Sequence, residues 1–303
     1  MLSFWEQKSF TNYNYAVVGG GLVGISTALS IKELLPKASV VVLERGVLPS
    51  GASTRNAGFA CFGSLSELWS DIEQMGEASA RQLVQDRWSG LQLLRNRLGD
   101  RNLQYKNYGG YELLFDENVD LLDRLEQVNQ WLWPLFNQPV FQVNHQLAEL
   151  FGFDGSRVAA MVCNPLEGQI HTGAMMKSLI ALAREHGVEY LTGATVEEWD
   201  AQTDSITLML SGQSDRVRIQ CDKLAICTNA FSNQLLPDLE IRPGRGIVLL
   251  TKEIPGLKFK GAFHYHQGYY YFRNVGTRVL FGGGRNLDFS AEETLNFGIN
   301  QKI

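Results

Sequence analysis

The sequence predicts an α/β fold, and three observations near its amino end carry the prediction. A short apolar run at residues 15–18 breaks into a glycine-rich turn. A helical run follows from about residue 22 and stops before Pro36, which cannot continue a helix. A second apolar run spans residues 39–43 and ends in Glu44. Strand, helix and strand within about 30 residues make a βαβ unit, so the sheet is expected to be parallel.

The turn reads Gly19-Gly20-Gly21-Leu22-Val23-Gly24, with Gly19, Gly21 and Gly24 in G-x-G-x-x-G spacing. Glycine-rich turns are common, and alone this one is a loop of permissive residues. In its βαβ setting each glycine has a task in gripping a dinucleotide. Gly19 permits the tight turn out of the strand. Gly21 has no side chain, so a pyrophosphate can approach the backbone. Gly24 lets the helix pack closely on the strand. The helix start points N–H groups and its positive dipole end at the phosphates. Glu44, twenty positions past Gly24, is placed to accept hydrogen bonds from ribose hydroxyls. The motif does not choose between FAD and NAD.

The composition is that of an ordinary globular protein. The chain has 303 residues, 45% hydrophobic and 19% charged, enough for one large or two modest cores. A net charge of −5 with no basic run argues against nucleic acid and anionic membrane as partners. Residues 15–31 are uncharged but too short and too rich in Gly, Ser and Thr for a membrane span. Residues 1–14 carry both Glu6 and Lys8, unlike a secretory leader. A cytoplasmic protein without a transmembrane segment is expected. Cys61, Cys163, Cys221 and Cys227 lack any metal-ligand spacing and read as small buried hydrophobes.

Along the chain, residues 1–14 with Phe4, Trp5 and Phe10 read as an arm on the domain surface. Residues 46–60 are long, rich in small residues and aperiodic, which marks a functional loop. Ser64 and Glu67 form a capping box that starts a helix. Apolar residues at Val84, Trp88, Leu91, Leu94 and Leu98 give a one-sided helix. Residues 109–115 read as a strand. Leu121, Leu122, Leu125, Val128, Trp131, Leu132 and Leu135 fall on one helical stripe, with Pro134 marking its end. Residues 65–153 are therefore not βαβ units and form part of a second domain. A helix over 171–186 follows, then strands near 188–191 and 195–199. A hairpin from 206–210 and 216–219 is expected, then a separate strand at 223–227. Strands dominate afterwards, at 246–251, 261–265, 269–273 and 278–282. His264 and His266 share a face of one strand, but no third metal ligand lies in sequence reach.

Five stretches together resemble the flavoenzyme superfamily of D-amino-acid oxidase, glycine oxidase and sarcosine oxidase. They are Gly19–Gly24 with residues 43–46; residues 50–59; residues 167–171 with Gly193-Ala194-Thr195-Val196; residues 225–233; and residues 242–246 with 269–273 and 280–285. The 50–59 loop is very like that of the γ-glutamylputrescine oxidase branch. The resemblance implies FAD, held by Gly19, Gly20, Gly21, Leu22, Val23, Gly24, Glu44 and Arg45 at its ADP part. It implies that Ala52, Ser53, Ala57, Gly58 and Phe59 meet the ribityl, pyrophosphate and ring, and that the Val196 backbone holds adenine. Arg55 would stand near the flavin edge, where a cation stabilises developing negative charge. Tyr269 and Tyr271 are expected to alternate onto one face of a strand over the flavin and to wall the substrate. Arg273 and Arg285 read either as carboxylate partners or as structural ion pairs.

The implied fold is a Rossmann-like FAD-binding domain, residues 12–65 and 160–240. A substrate domain of antiparallel sheet and helices takes residues 66–159 and 241–290. The implied activity is oxidation of a small-molecule amine or amino acid by hydride transfer to the flavin. Relatives continue past the point where this chain ends, so a form lacking their C-terminal segment is expected. Leu280 stands where sarcosine oxidases keep an oxygen-activating lysine, which leaves the electron acceptor open. The alternatives are a non-catalytic FAD-binding fragment and an NAD(P)-linked reductase. The long 46–60 loop argues against the latter.

Overall fold

Apolar runs flanked by turn residues become buried parallel strands, and the computed structural model, which describes residues 2–202, 205–211 and 216–303, places four of them together. The chain divides into two compact units, Met1–Asn56 with Thr172–Gly244 and Ala57–His171 with Arg245–Ile303.

The first unit is built on a six-stranded sheet. Its order is Val188–Thr192, Val40–Glu44, Asn12–Val18, Arg216–Ile226, Ile206–Ser211 and Thr195–Ala201. The first four strands run parallel and the last three form an antiparallel meander. Val40, Val41, Val42 and Leu43 are all buried, as expected of a parallel strand covered on both faces. The helices Leu22–Leu34 and Thr172–Glu185 supply buried residues from Ile25, Ala28 and Leu29 and from Met175, Met176 and Leu179. The strand Arg216–Ile226 replaces the two strands expected at 216–219 and 223–227. It pairs antiparallel with Ile206–Ser211 at its start and parallel with Asn12–Val18 at its end, so one strand serves both halves of the sheet. The amino-terminal segment is a short capped helix, Phe4–Phe10. Its Phe4 and Trp5 rings pack edge-on to each other and stay exposed, rather than lying as an apolar arm.

The second unit holds a seven-stranded sheet ordered Val248–Leu250, Arg278–Gly283, Tyr270–Val275, Ala262–Tyr265, Gly110–Leu114, Ala160–Asn164 and Gln142–Val143. It is antiparallel except where Ala262–Tyr265 meets Gly110–Leu114. Residues 57–65 and 160–171 belong here because Phe59–Ala60 pairs with Gly168–Gln169. The helices Leu65–Met75, Glu77–Leu98 and Leu125–Phe136 pack around Leu65, Leu68, Val84, Val128 and Leu132. The Ser64–Glu67 capping box is formed as expected. Trp131 is core, whereas Trp133 is 49% exposed. Pro134 does not end its helix, which runs on to Phe136. Proline within the last turn forfeits one backbone bond without stopping the chain from completing it.

One face of this sheet carries an aromatic cluster. Phe263 is fully buried and stacks on Phe272 with centroids 4.7 Å apart and planes 3° from parallel. Phe151, Phe153 and Phe259 meet it edge-on. Phe263→Ala should lower the unfolding free energy by about 3–5 kcal/mol in urea denaturation. A loss below about 1 kcal/mol would show that the cluster is not the packing centre of this unit.

Candidate functional site

Parallel strands bring their carboxyl ends to one edge, where open α/β sheets bind ligands. In the first unit Val18, Glu44 and Ile226 end three neighbouring strands. The glycine turn leaves the middle one. Gly19 has a φ of +108°, which an L side chain rarely adopts. A methyl on it would overlap the Cys227 carbonyl, and one on Gly24 would overlap the Gly19 carbonyl oxygen. Helix Leu22–Leu34 thus starts directly against the strand end.

The helix start supplies donors. Gly21 is the N-cap, without a capping side-chain bond of its own. The Leu22 N–H donates to Ser53 Oγ at 2.9 Å. The N–H groups of Gly21, Val23 and Gly24 have no acceptor among the described residues. The first N–H groups of a helix lack intrahelical partners, so these are free for an anion. Val23 itself is 65% exposed.

Two side chains lock the turn. Tyr190 donates to the Gly20 carbonyl at 3.1 Å. Burial, with the Glu44 charge nearby, pushes its phenol up to about 12, so it stays a donor. Glu44 accepts from the Gly20 N–H at 3.0 Å through one oxygen and from the Gly46 N–H at 2.8 Å through the other. A carboxylate has about four lone-pair sites, so each oxygen keeps capacity for a ribose hydroxyl. Arg45 is exposed and lies over the Phe231 ring at 3.7 Å.

The 46–60 stretch is not wholly aperiodic. Ala52–Arg55 forms a turn of helix, held where Thr54 Oγ1 donates to the Pro49 and Gly51 carbonyls. Ala52 is exposed, Ser53 is beside Gly21, and Arg55 sits exposed in the last turn. Val196 lies on the edge strand Thr195–Ala201, half-buried against the apolar cluster around Leu43 and Leu210. The Ala194 N–H donates to the Glu44 carbonyl, which ties that strand's approach to the acid.

Ala57, Gly58 and Phe59 fall in the second unit. The Gly58 carbonyl accepts from Ile170 N–H and from Arg273 Nη1. Arg273 also donates to the Ile170 carbonyl and is buried. It secures backbone and is not presented as a carboxylate partner. Arg285 lies over the Phe289 ring. The strand expected from residue 269 begins at Tyr270. Tyr269 stays in the preceding turn, its N–H on the His266 carbonyl and its ring against Phe289. Tyr271 is on the strand, half-buried, with its ring edge-on to Phe59. His266 is likewise in the turn, with a φ of +54°, so it does not share a strand face with His264.

Sequence reasoning missed Tyr190, whose only signal was a polar tip on a parallel strand. It also missed Glu112, an acid at a buried position of the strand Gly110–Leu114. A recess of about 640 Å³ lined by Asn14, Leu34, Lys37 and Lys223 lies at the amino ends of the first unit's strands, away from the glycine turn. No helix among the described residues is long and apolar enough to cross a membrane, and no group of three or more acidic, histidine or cysteine residues suited to a metal is found among them.

Comparisons with known proteins agree with this geometry. The model of the FAD dependent oxidoreductase family, DAO, matches residues 14–302. Glycine oxidase from Bacillus cereus is similar over 96% of this chain and 76% of that one, at 18% identity and a TM-score of 0.67. L-proline dehydrogenase from P. horikoshii matches over 90% and 70%, at 19% identity and 0.66. L-amino acid deaminase from Proteus myxofaciens matches over 89% and 58%, at 18% identity and 0.65. The chain thus spans little more than half of the last of these. No curated protein matches.

Gly24→Ala should cut retained FAD to about a tenth or less, since tenfold is only about 1.4 kcal/mol and the methyl has no room. Gly90→Ala, where a methyl meets nothing within 4 Å, should leave it unchanged. Flavin absorbance of the purified proteins, with circular dichroism to confirm folding, measures both. Equal flavin content would refute the role of the turn.

Proposed function

Because the chain belongs to the DAO family of FAD dependent oxidoreductases, we propose that it oxidises a small amine or amino acid at the C–H next to nitrogen. FAD, when bound, supplies the ring nitrogen that accepts the hydride. The residues of the first unit fit its ADP part. Gly21, Val23 and Gly24 offer free N–H groups at a helix start for the pyrophosphate. Glu44 retains capacity for ribose hydroxyls while its other lone pairs hold the turn in shape. The Val196 backbone, on the strand tied to Glu44 through Ala194, would hold adenine.

The remaining roles belong to side chains and small residues near the loop. Ala52, Ser53, Ala57, Gly58 and Phe59 would meet the ribityl chain and ring. Small residues suit that task because the backbone itself makes the contacts. Arg55 would place positive charge at the pyrimidine edge, where reduction builds negative charge. Tyr271, with Phe59 against it, is the substrate wall. Tyr269, outside the strand, is the weaker candidate for that wall. Residues 66–159 and 241–290 would supply the substrate domain. The single observation that carries the cofactor reading is the row of unpaired N–H groups beside Glu44.

The experiment is an anaerobic screen of primary and secondary amines and amino acids against the yellow protein. A substrate should bleach the flavin band, and Tyr271→Phe should raise KM or slow bleaching by about tenfold, the scale of one lost hydrogen bond. Admitting air should restore colour slowly, since the family resemblance puts Leu280 where sarcosine oxidases keep an oxygen-activating lysine. A flavin that no amine bleaches, but that a nicotinamide nucleotide does, would overturn the proposal.

A further inference from the structure

The second unit buries two acids and an imidazole around one small cavity. Ser64, Gly110, Glu112, Asn164, Glu167 and His264 line it, and Tyr111, Phe141 and Val162 complete it. Glu112, Asn164 and Glu167 are 2–3% exposed and His264 is 6% exposed. The backbone puts them there. Glu112, His264 and Tyr271 are direct cross-strand neighbours, so they share one sheet face. Glu167 reaches in from the turn before Gly168–Gln169, where Gly110 has no side chain to meet it.

Most of the polar atoms have partners. Glu112 accepts from the Ser66 N–H and hydroxyl. Glu167 accepts from the Phe62 and Gly63 N–H groups at 3.0 and 3.3 Å. Asn164 Oδ1 accepts from Leu166, which fixes its amide orientation. Two atoms are left over: Asn164 Nδ2 and His264 Nε2 are buried without a hydrogen-bond partner. Both belong to residues lining the same cavity. Its volume is about 10 Å³, close to the roughly 10–15 Å³ that one water needs on this measure. An empty cavity with polar walls is the unusual case, and a water with two to four partners the common one.

We propose that this cavity is a binding site for one water, which links Asn164, His264, Glu112 and Glu167 into a network that retains a proton at neutral pH. Asn164 Nδ2 donates to the water. His264 Nε2 and a carboxylate oxygen accept from it, and whichever of the two groups carries the proton donates to it instead. The charges facing the site do not supply a counter-cation. Glu67 on the helix Leu65–Met75 stands 3.8 Å from His264 Nδ1. Arg87 on the helix Glu77–Leu98 donates to the Phe62 carbonyl and pairs with Asp71. Cys61 adds a neutral thiol, raised by burial and by Glu167 and Glu67. Two adjacent buried carboxylates without a cation cannot both ionise cheaply.

The titration directions agree. Burial, against the Ser66 bonds, raises Glu112 to about 7. Burial, against the Phe62 and Gly63 N–H groups, raises Glu167 to about 8, with Glu67 and Glu112 adding to it. Burial holds His264 below its ordinary value, Glu67 opposing. The network also positions residues. Glu167 fixes Phe62 and Gly63, and the Phe59 ring of the same segment packs edge-on to His264 at 5.0 Å.

Three measurements on the intact chain test this independently of the cofactor assignment. Infrared spectroscopy near pH 6 should show a protonated carboxyl stretch that disappears as pH rises past about 8. Glu167→Gln or Glu112→Gln should diminish it. Unfolding should follow the same proton. The folded carboxyls bind protons more tightly than the unfolded ones at 4.5, so stability is full below that pH and is lost as pH rises towards 7–8. Across that window the unfolding equilibrium constant should rise up to about tenfold per pH unit for each retained proton, and Glu167→Gln should flatten the slope. A crystal structure should show the water on Asn164 Nδ2 and His264 Nε2. A wild-type spectrum without the carboxyl band, or a dry cavity, overturns the proposal whatever the variants do.

Discussion

The first unit depends on one close approach: the start of helix Leu22–Leu34 against the carboxyl end of strand Asn12–Val18, with Gly24 over the Gly19 carbonyl. Only glycine fits both sides of that contact. Because it is satisfied, the helix axis meets the sheet edge and its first N–H groups open at the strand ends rather than over the flank. Neighbouring strands then fix the turn from either side. Tyr190 comes from Val188–Thr192, Glu44 from Val40–Glu44, and the Cys227 backbone follows Arg216–Ile226. The turn is held by groups of the protein itself. Pre-organisation of this kind lowers the ordering cost of binding.

The second unit solves a related problem without a helix start. Its two-residue strand Phe59–Ala60 cannot satisfy the backbone around it by sheet pairing alone. Buried backbone groups must still be paired. Side chains supply the deficit: Arg273 donates to the Gly58 and Ile170 carbonyls, and Glu167 accepts from the Phe62 and Gly63 N–H groups. A cation and an acid therefore hold one irregular segment from opposite ends. Both are buried, and removing either would leave backbone groups unmatched, which costs more than the bonds contribute.

What could be read from sequence was whatever has a local cause. The βαβ unit, the glycine turn, the Ser64 capping box and the one-sided helices follow from spacing alone, and the structure contains each. The misplacements have a common origin in partners distant along the chain. Arg216–Ile226 is continuous because two different neighbours pair with its two ends, which no window of the sequence displays. Tyr269 lies outside its strand because the His266–Gly268 turn takes it, with both His266 and Gln267 at positive φ. Arg273 looked available for a substrate carboxylate because its carbonyl partners lie 103 and 215 residues away. Glu112 and Glu167 were invisible as a pair for the same reason.

The solved structures it resembles are under a fifth identical to this chain, yet share its fold. Such likeness persists where backbone geometry does the work, since a glycine turn and a helix start need few particular side chains. It does not extend to substrate choice, which resides in side chains placed on that backbone. In the second unit the cross-strand row of Glu112, His264 and Tyr271, with Phe59 against the last two, is one such set of side chains on a shared backbone. One end of the row is a buried acid and the other a half-buried phenol. In the proposed function Tyr271 would meet the substrate, and the buried polar groups along the row would hold its strand in place.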